Sequence, residues 1–141
     1  ASIQKVGCEM ATPDTAPDPP LTGKRVLVFD PDERTRRQAH LLLGRLGACV
    51  ETTGTAGEAV ALLTDVAYDA VLMDIKPPDM GGYECFRRLK AARPGVRIAM
   101  TTGFGYDSAH SIVKAKAEGM THVLFKPFRQ DQVVKAVLDG K

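Results

Sequence analysis

Residues 24–47 read KRVLVFDPDERTRRQAHLLLGRLG, and two different periodicities meet inside them. Arg25–Phe29 is a nearly continuous apolar run, the pattern of a strand covered on both faces. Further on, Ala39, Leu42, Leu43 and Leu46 fall at i, i+3, i+4 and i+7, an apolar stripe along one side of a helix, and Gly47 supplies its stop. Asp30, Asp32 and Glu33 lie between the strand and the helix.

The same alternation continues along the chain. Cys49–Thr52, Ala70–Met73, Arg97–Thr101 and His122–Phe125 read as further strands. Thr55-Ala56-Gly57-Glu58 reads as a capping box opening a helix that buries Ala59, Leu62 and Leu63. Tyr83, Phe86 and Leu89 mark a third helix ending near Pro94; Ala109, Ile112 and Val113 mark a fourth, and Val133, Val134, Val137 and Leu138 a fifth. Five strands alternating with five helices predict a doubly wound α/β domain with a parallel sheet and right-handed crossovers. Ligands of such sheets bind beyond the carboxyl ends of the strands.

Composition sets the bounds. The chain has 141 residues, 44% hydrophobic and 26% charged, the make-up of one globular domain. Nineteen Lys and Arg against 17 Asp and Glu leave a net charge of +2. The basic residues are scattered, which argues against nucleic acid as a partner. No apolar run approaches the ~20 residues that span a bilayer. Cys8, Cys49 and Cys85 are odd in number, far apart and without a CxxC, so neither a disulfide framework nor a zinc site is expected, and the expected location is cytoplasmic. Pro13, Pro17, Pro19 and Pro20 crowd the first stretch, so residues 1–22 read as a Pro-rich linker or tail and residues 23–141 as the folded domain. A chain that begins with Ala is expected to be processed or cut from something longer.

Polar residues gather at the predicted strand ends. Asp30 follows the first strand and Asp74 the third; Thr102 follows the fourth, and Lys126-Pro127 the fifth. Carboxylates brought together at one rim repel, by roughly 4 kcal/mol for unit charges about 4 Å apart at an effective dielectric near 20. A divalent cation, a proton or Lys126 must offset that repulsion. Few protein oxygens and a hard cation favour Mg²⁺, which keeps waters and binds phosphate oxygens. A carboxylate, a cation, a hydroxyl and a lysine suit phosphoryl transfer, with the carboxylate as nucleophile. Taken singly, Asp30 reads as a helix cap, Lys126 as a loop lysine and Thr102 as a turn residue; their coincidence at strand ends is what points to chemistry.

The segments VLVFDPDE, VLMDIKPPDMGGYE, IAMTTGF and HVLFKPF make the chain resemble the response-regulator receiver domain of two-component signalling, over about Lys24 to Leu138. The resemblance implies a flavodoxin-like sheet of order 2-1-3-4-5. It also implies that Asp74 is the phosphoacceptor, Thr102 the hydroxyl that meets the phosphoryl group and Lys126 the lysine that pairs with it. Mg²⁺ would be held by Asp30, Asp74 and the backbone carbonyl of Lys76. The Lys126–Pro127 peptide would be cis, and Pro78 and Gly82 would shape the loop after the phosphoacceptor. The implied partners are a histidine kinase or a histidine phosphotransfer domain, with no nucleic acid or membrane bound by this chain. On phosphorylation the loop Gly103–Ser108 would shift.

Two positions depart from the family's pattern. Pro31 stands where a second acidic residue usually ligates magnesium, which makes Asp32 a further candidate ligand, and Val123 stands where an aromatic switch residue is usual. The Pro-rich leader before a terminal receiver, with no DNA-binding output domain following it, resembles the C-terminal receiver of a hybrid sensor histidine kinase. No independent enzyme is expected beyond self-phosphorylation and dephosphorylation, although the parent protein would then be a kinase.

Asp30-Pro31-Asp32 satisfies the DxD motif of haloacid-dehalogenase phosphatases, with Asp30 as nucleophile and Thr102 and Lys126 as later motifs. That family needs an acidic pair after the lysine, where only Asp131 and Asp139 occur, and the reading leaves Asp74 idle. A pseudo-receiver that has lost phosphorylation rests on Pro31 alone. His40, His110 and His122 are too dispersed for a shared site. Arg87, Arg88, Lys90 and Arg93 suit the carboxyl end of the third helix, and Gly103-Phe104-Gly105 lacks the GxGxxG of a dinucleotide fingerprint.

Overall fold

A computed structural model describes residues 19–77, 79–103, 111–120 and 122–138. Five strands, β1 (Arg25–Phe29), β2 (Cys49–Thr53), β3 (Ala70–Asp74), β4 (Arg97–Thr102) and β5 (His122–Phe125), alternate with five helices. These are α1 (Glu33–Arg45), α2 (Ala56–Asp65), α3 (Gly82–Ala92), α4 (Ser111–Ala117) and α5 (Gln130–Leu138). All strand pairs are parallel, in the order β2-β1-β3-β4-β5.

The period-2 pleat sorts the strand residues into two cores. Leu27, Phe29, Val71, Met73, Ile98 and Met100 face α2, α3 and α4, where Leu63, Phe86, Leu89 and Ala115 close the layer. Val26, Val28, Leu72, Ala99 and Leu124 face α1 and α5, meeting Leu43, Val133 and Val137. Sandwiching on both sides is why these strands read as unbroken apolar runs.

Three strands run one residue further than their apolar runs. Asp74 and Thr102 are therefore the last residues of β3 and β4 rather than the first of their loops. The ladder continues past the apolar stretch: Ile75 N–H donates to the Thr101 carbonyl at 3.1 Å and Lys126 N–H to the Thr102 carbonyl at 2.9 Å.

Helix ends follow the sequence with two differences. At the carboxyl end of α1, Gly47 has φ +98°. Its N–H donates to the Gly44 carbonyl and that of Ala48 to the Leu43 carbonyl, each at 3.0 Å, which is the Schellman closure. A Cβ at Gly47 would stand 2.8 Å from Thr22 Oγ1. At α2, the Thr55 side chain accepts from Glu58 N–H at 3.3 Å, as the capping box requires. The reciprocal half is absent, because the Glu58 carboxylate accepts instead from the Thr53 hydroxyl. In α4 and α5 the buried face is rotated from the expected one. Ala115, Val133, Ala136 and Val137 are buried, while Val113 is 67% and Leu138 41% exposed. Only the i, i+3 and i+4 set from one starting residue can face the sheet, and Ile112 and Val133 set it. Ala109 lies outside the described residues.

At the amino end, Leu21 is fully buried, and its N–H donates to the Leu46 carbonyl at 2.8 Å. The folded body thus takes in a residue that the prolines had placed in the leader. Cys85 is free and buried, and Cys8 lies outside the described residues.

The Phe86 side chain is among the largest fully buried ones, whereas Val113 faces solvent. Phe86→Ala is expected to lose about 3–5 kcal/mol of stability, and Val113→Ala to stay within about 0.5 kcal/mol of wild type, both read from urea-unfolding midpoints.

Candidate functional site

The carboxyl ends of β1, β3, β4 and β5 form one rim. Asp30, directly after β1, is 1% exposed, and Asp74, closing β3, is 7% exposed. Asp30 is fixed from both sides of its backbone: its N–H donates to the Thr53 carbonyl at 3.1 Å, and its carbonyl accepts from Arg36 Nη1 at 2.7 Å. Lys126, after β5, reaches across the rim. Its Nζ lies 2.5 Å from Asp30 Oδ2 and 2.7 Å from Asp74 Oδ1. The remaining oxygens are held by backbone: Asp32 N–H donates to Asp30 Oδ1 at 2.8 Å, and Lys76 N–H to Asp74 Oδ2 at 2.9 Å. The Lys126–Pro127 peptide is cis.

Two carboxylates share one ammonium here, so the cluster carries an excess negative charge when all three groups are ionised. Burial raises the Asp30 pKa above its ordinary value, and the Asp74 charge adds to this, while Lys126 and the Asp32 N–H pull the other way. Burial also acts to lower the Lys126 pKa, but hydrogen bonds to Asp30 and Asp74 and their charges outweigh it, leaving the ammonium pKa raised. Both carboxylates therefore depend on the lysine.

Beside them opens a cleft of about 340 Å³, lined by Asp32, Thr35, Asp74, Lys76, Thr102 and Lys126 among others. Asp74, Thr102 and Lys126 thus come together, and Asp30 stands behind them in the ion pair. Asp32 is at the same cleft, but its side chain also caps α1, accepting from Arg34 N–H at 2.9 Å. The cap role that Asp30 suggested by itself belongs to Asp32. Pro31 is exposed between them. Lys76 contributes its N–H to Asp74, and its side chain is exposed. The loop 104–110 and Pro78 lie outside the described residues.

Among the described residues no group of three or more His, Cys, Asp or Glu side chains is placed to hold a metal ion. The acidic donor set at the rim is smaller: the Asp30 and Asp74 carboxylates. It fits a hard cation that retains waters. Asp30 Oδ2 fits as well, being buried without a hydrogen bond of ordinary geometry and met only by the ion pair with Lys126.

Three contributors were not visible in the sequence. Arg36 holds the Asp30 carbonyl and packs where Gly54 leaves room, a Cβ there falling 3.0 Å from its Nη1. In sequence it is one arginine among four within Arg34–Arg45. Thr35 is a buried wall of the cleft, hidden in a polar first turn. Asp79, in a Pro- and Gly-rich loop, accepts from Ala56 and Gly57 N–H, both at 3.0 Å, and these two bonds hold its carboxyl below the usual pKa.

Comparison with known proteins accounts for this arrangement. The family model of the response regulator receiver domain matches residues 26–138. The cell cycle transcriptional regulator CtrA of Caulobacter vibrioides is 31% identical over 113 residues, covering 80% of this chain and 48% of that protein. The virulence sensor protein BvgS of Bordetella pertussis is 33% identical over 135 residues, covering 92% of this chain and 11% of that protein. The chain thus spans about half or less of the length of these relatives. Among solved structures, a receiver domain protein of Methanospirillum hungatei superposes with a TM-score of 0.72 at 31% identity, covering 79% of this chain and 88% of that one. A response regulator of Burkholderia pseudomallei, crystallised with a phosphorylated aspartic acid and a calcium ion, gives 0.72 at 25% identity over 82% of this chain and 67% of that one. With the fold, the rim and the family model in agreement, this chain belongs to the response regulator receiver domains of two-component signalling.

Proposed function

We propose that Asp74 accepts a phosphoryl group from a phosphohistidine of a histidine kinase or histidine phosphotransfer domain. The observation that carries this reading is the Lys126 ammonium set 2.7 Å from Asp74 Oδ1 at the mouth of a cleft that Thr102 also lines. An Asp74 carboxylate oxygen attacks phosphorus, the P–N bond to imidazole breaks, and the nitrogen keeps its electron pair. Asp74 then loses its carboxylate charge, and Lys126 exchanges that partner for a phosphoryl oxygen while keeping Asp30. The Thr102 hydroxyl donates to a second phosphoryl oxygen. Asp30, Asp74 and the Lys76 carbonyl would hold Mg²⁺, with Asp32 at the cleft as a further ligand. When bound, the cation supplies the charge on the equatorial phosphoryl oxygens that one lysine cannot balance. The phosphorylated aspartic acid and calcium ion of the Burkholderia relative support both assignments by analogy.

A phosphatase with Asp30 as nucleophile has less in its favour. Asp30 is the more deeply buried carboxylate and is tied up by Lys126 and Asp32 N–H, and Asp74 would have no task. A pseudo-receiver still rests only on Pro31, with Asp74 and Lys126 in working geometry. The likeness to BvgS suits a receiver within a hybrid sensor kinase. The residues before Leu21 would be its linker, and the receiver would begin at Leu21, which the core takes in. No helix among the described residues is long and apolar enough to cross a membrane. A cytoplasmic location is part of this reading, as the setting in which a histidine kinase would supply the phosphoryl group.

Incubation with acetyl phosphate and Mg²⁺ is expected to add one phosphoryl group by mass spectrometry, and Asp74→Asn to abolish the adduct. A label mapped to Asp30 would overturn the assignment.

Pro31 removes a charged oxygen from the rim. Pro31→Asp is accordingly expected to bind Mg²⁺ tighter by at least ~1 kcal/mol, roughly fivefold, in an NMR titration. If Asp32 already compensates in full, the two affinities will be equal and Asp32→Ala will lose the ion.

Lys126 gives a pH test. Its folded pKa lies above the ordinary 10.5, so its stabilising contribution is complete below 10.5 and is lost as pH rises through the folded value. The stability difference between wild type and Lys126→Met, from urea unfolding, should stay flat between about pH 8 and 10 and shrink above that range.

A further inference from the structure

The loop that leaves Asp74 is fastened to a helix other than its own. Asp79 Oδ1 accepts from Ala56 N–H and Oδ2 from Gly57 N–H, both at 3.0 Å. These are the first two N–H groups of α2, which have no intrahelical acceptor. The next two are met locally, Glu58 N–H by Thr55 Oγ1 at 3.3 Å and Ala59 N–H by the Thr55 carbonyl at 3.1 Å. The first turn of α2 is thus completed by a side chain from the β3–α3 loop. A short carboxylate accepting from two successive amides fixes direction as well as distance.

The same loop has its other fixed point in the site, where Lys76 N–H holds Asp74 Oδ2 and Ile75 N–H continues the ladder to Thr101. Downstream the loop gains little purchase, because α3 opens at Gly81 with no side-chain cap. The anchor on α2 is firm, since Ala56, Ala59 and Leu63 are all fully buried. Among the described residues between Lys76 and Gly81, Asp79 is the one whose side-chain hydrogen bonds reach another element, and they tie this loop to α2.

We propose that Asp79 is a positioning residue for the phosphoryl-acceptor site: by clamping the β3–α3 loop to the amino end of α2, it sets the Lys76 backbone against Asp74. This rests on the reading of Asp74 as phosphoacceptor and of the Lys76 carbonyl as a cation ligand. Asp79 touches neither phosphoryl group nor cation. Its effect is to keep oriented the two peptide units that flank the Lys76 Cα, one whose N–H holds an Asp74 oxygen and the next whose carbonyl would serve the ion.

The test compares two ways of uncapping α2. Asp79→Ala removes the bonds that reach the loop, whereas Thr55→Ala removes a bond confined to the helix. Both should lower thermal stability. Only Asp79→Ala should weaken Mg²⁺ binding, by about fivefold in an NMR titration, and speed hydrogen exchange of the Lys76 amide by about tenfold. Phosphorylation by acetyl phosphate at saturating Mg²⁺ should return to within about twofold of wild type, because the loss is in binding. Asp79→Asn, with one acceptor in place of two, should fall between; should the alanine variant fail to fold, it gives the same two readings. Unchanged Mg²⁺ affinity and Lys76 exchange in Asp79→Ala would overturn the proposal, as would equal weakening in Thr55→Ala. If the wild-type chain took no phosphoryl group, the reading of Asp74 would fall. The clamp would then be judged on Lys76 exchange alone, with faster exchange in Asp79→Ala supporting it and unchanged exchange overturning it.

Discussion

One ammonium holds the functional end of this domain together. Lys126 sits between Asp30 and Asp74, carboxylates delivered by two neighbouring strands, while it is itself delivered by an edge strand two places away from β3. Buried carboxylates that close would repel, and the protein tolerates them because the lysine and two backbone amides satisfy them together. The arrangement is poised rather than settled. Three ionised groups would leave one negative charge over, in a cleft open to solvent, a balance that favours a cation there. The same interaction makes the fold and the chemistry inseparable, since moving β5 would expose both acids to each other.

How much of this the sequence discloses depends on whether the information is periodic or conformational. Strands buried on both sides announce themselves, and β1 and β5 end where their apolar runs end. Asp74 and Thr102 could not be placed inside their strands by hydrophobicity, because the ladder that holds them is made by backbone groups. Asp30, Asp74, Thr102 and Lys126 were legible as a set through their common position at strand ends, and the structure gathers them. Arg36 and Asp79 were not, because each acts on backbone atoms far away in sequence, and a charged residue in a helix turn or a loop looks the same whether or not it does so. The exposed Val113 teaches a related lesson: in a helix of seven residues one phase choice decides everything, and β-branched residues by themselves do not make it.

The acidic residues after β1 show how local chemistry divides labour. Asp30 turns inward to the lysine, and Asp32, two residues later, caps α1. Pro31 between them has its φ fixed by its ring and donates no N–H, which leaves the Asp32 N–H to bind Asp30 Oδ1. The substitution thus gives up a charged oxygen and gains a stiff corner. Glu58 makes a comparable exchange at α2, leaving the capping box to hold the hydroxyl of buried Thr53.

The burial of Leu21 decides where the polypeptide joins the domain. The hydrogen bond from its N–H to the Leu46 carbonyl pins the incoming chain beside the carboxyl end of α1, next to the amino ends of the strands, whereas Asp74 stands at their carboxyl ends. A strand of five residues separates these poles by about 17 Å. The described chain therefore enters the domain at the pole opposite the cleft.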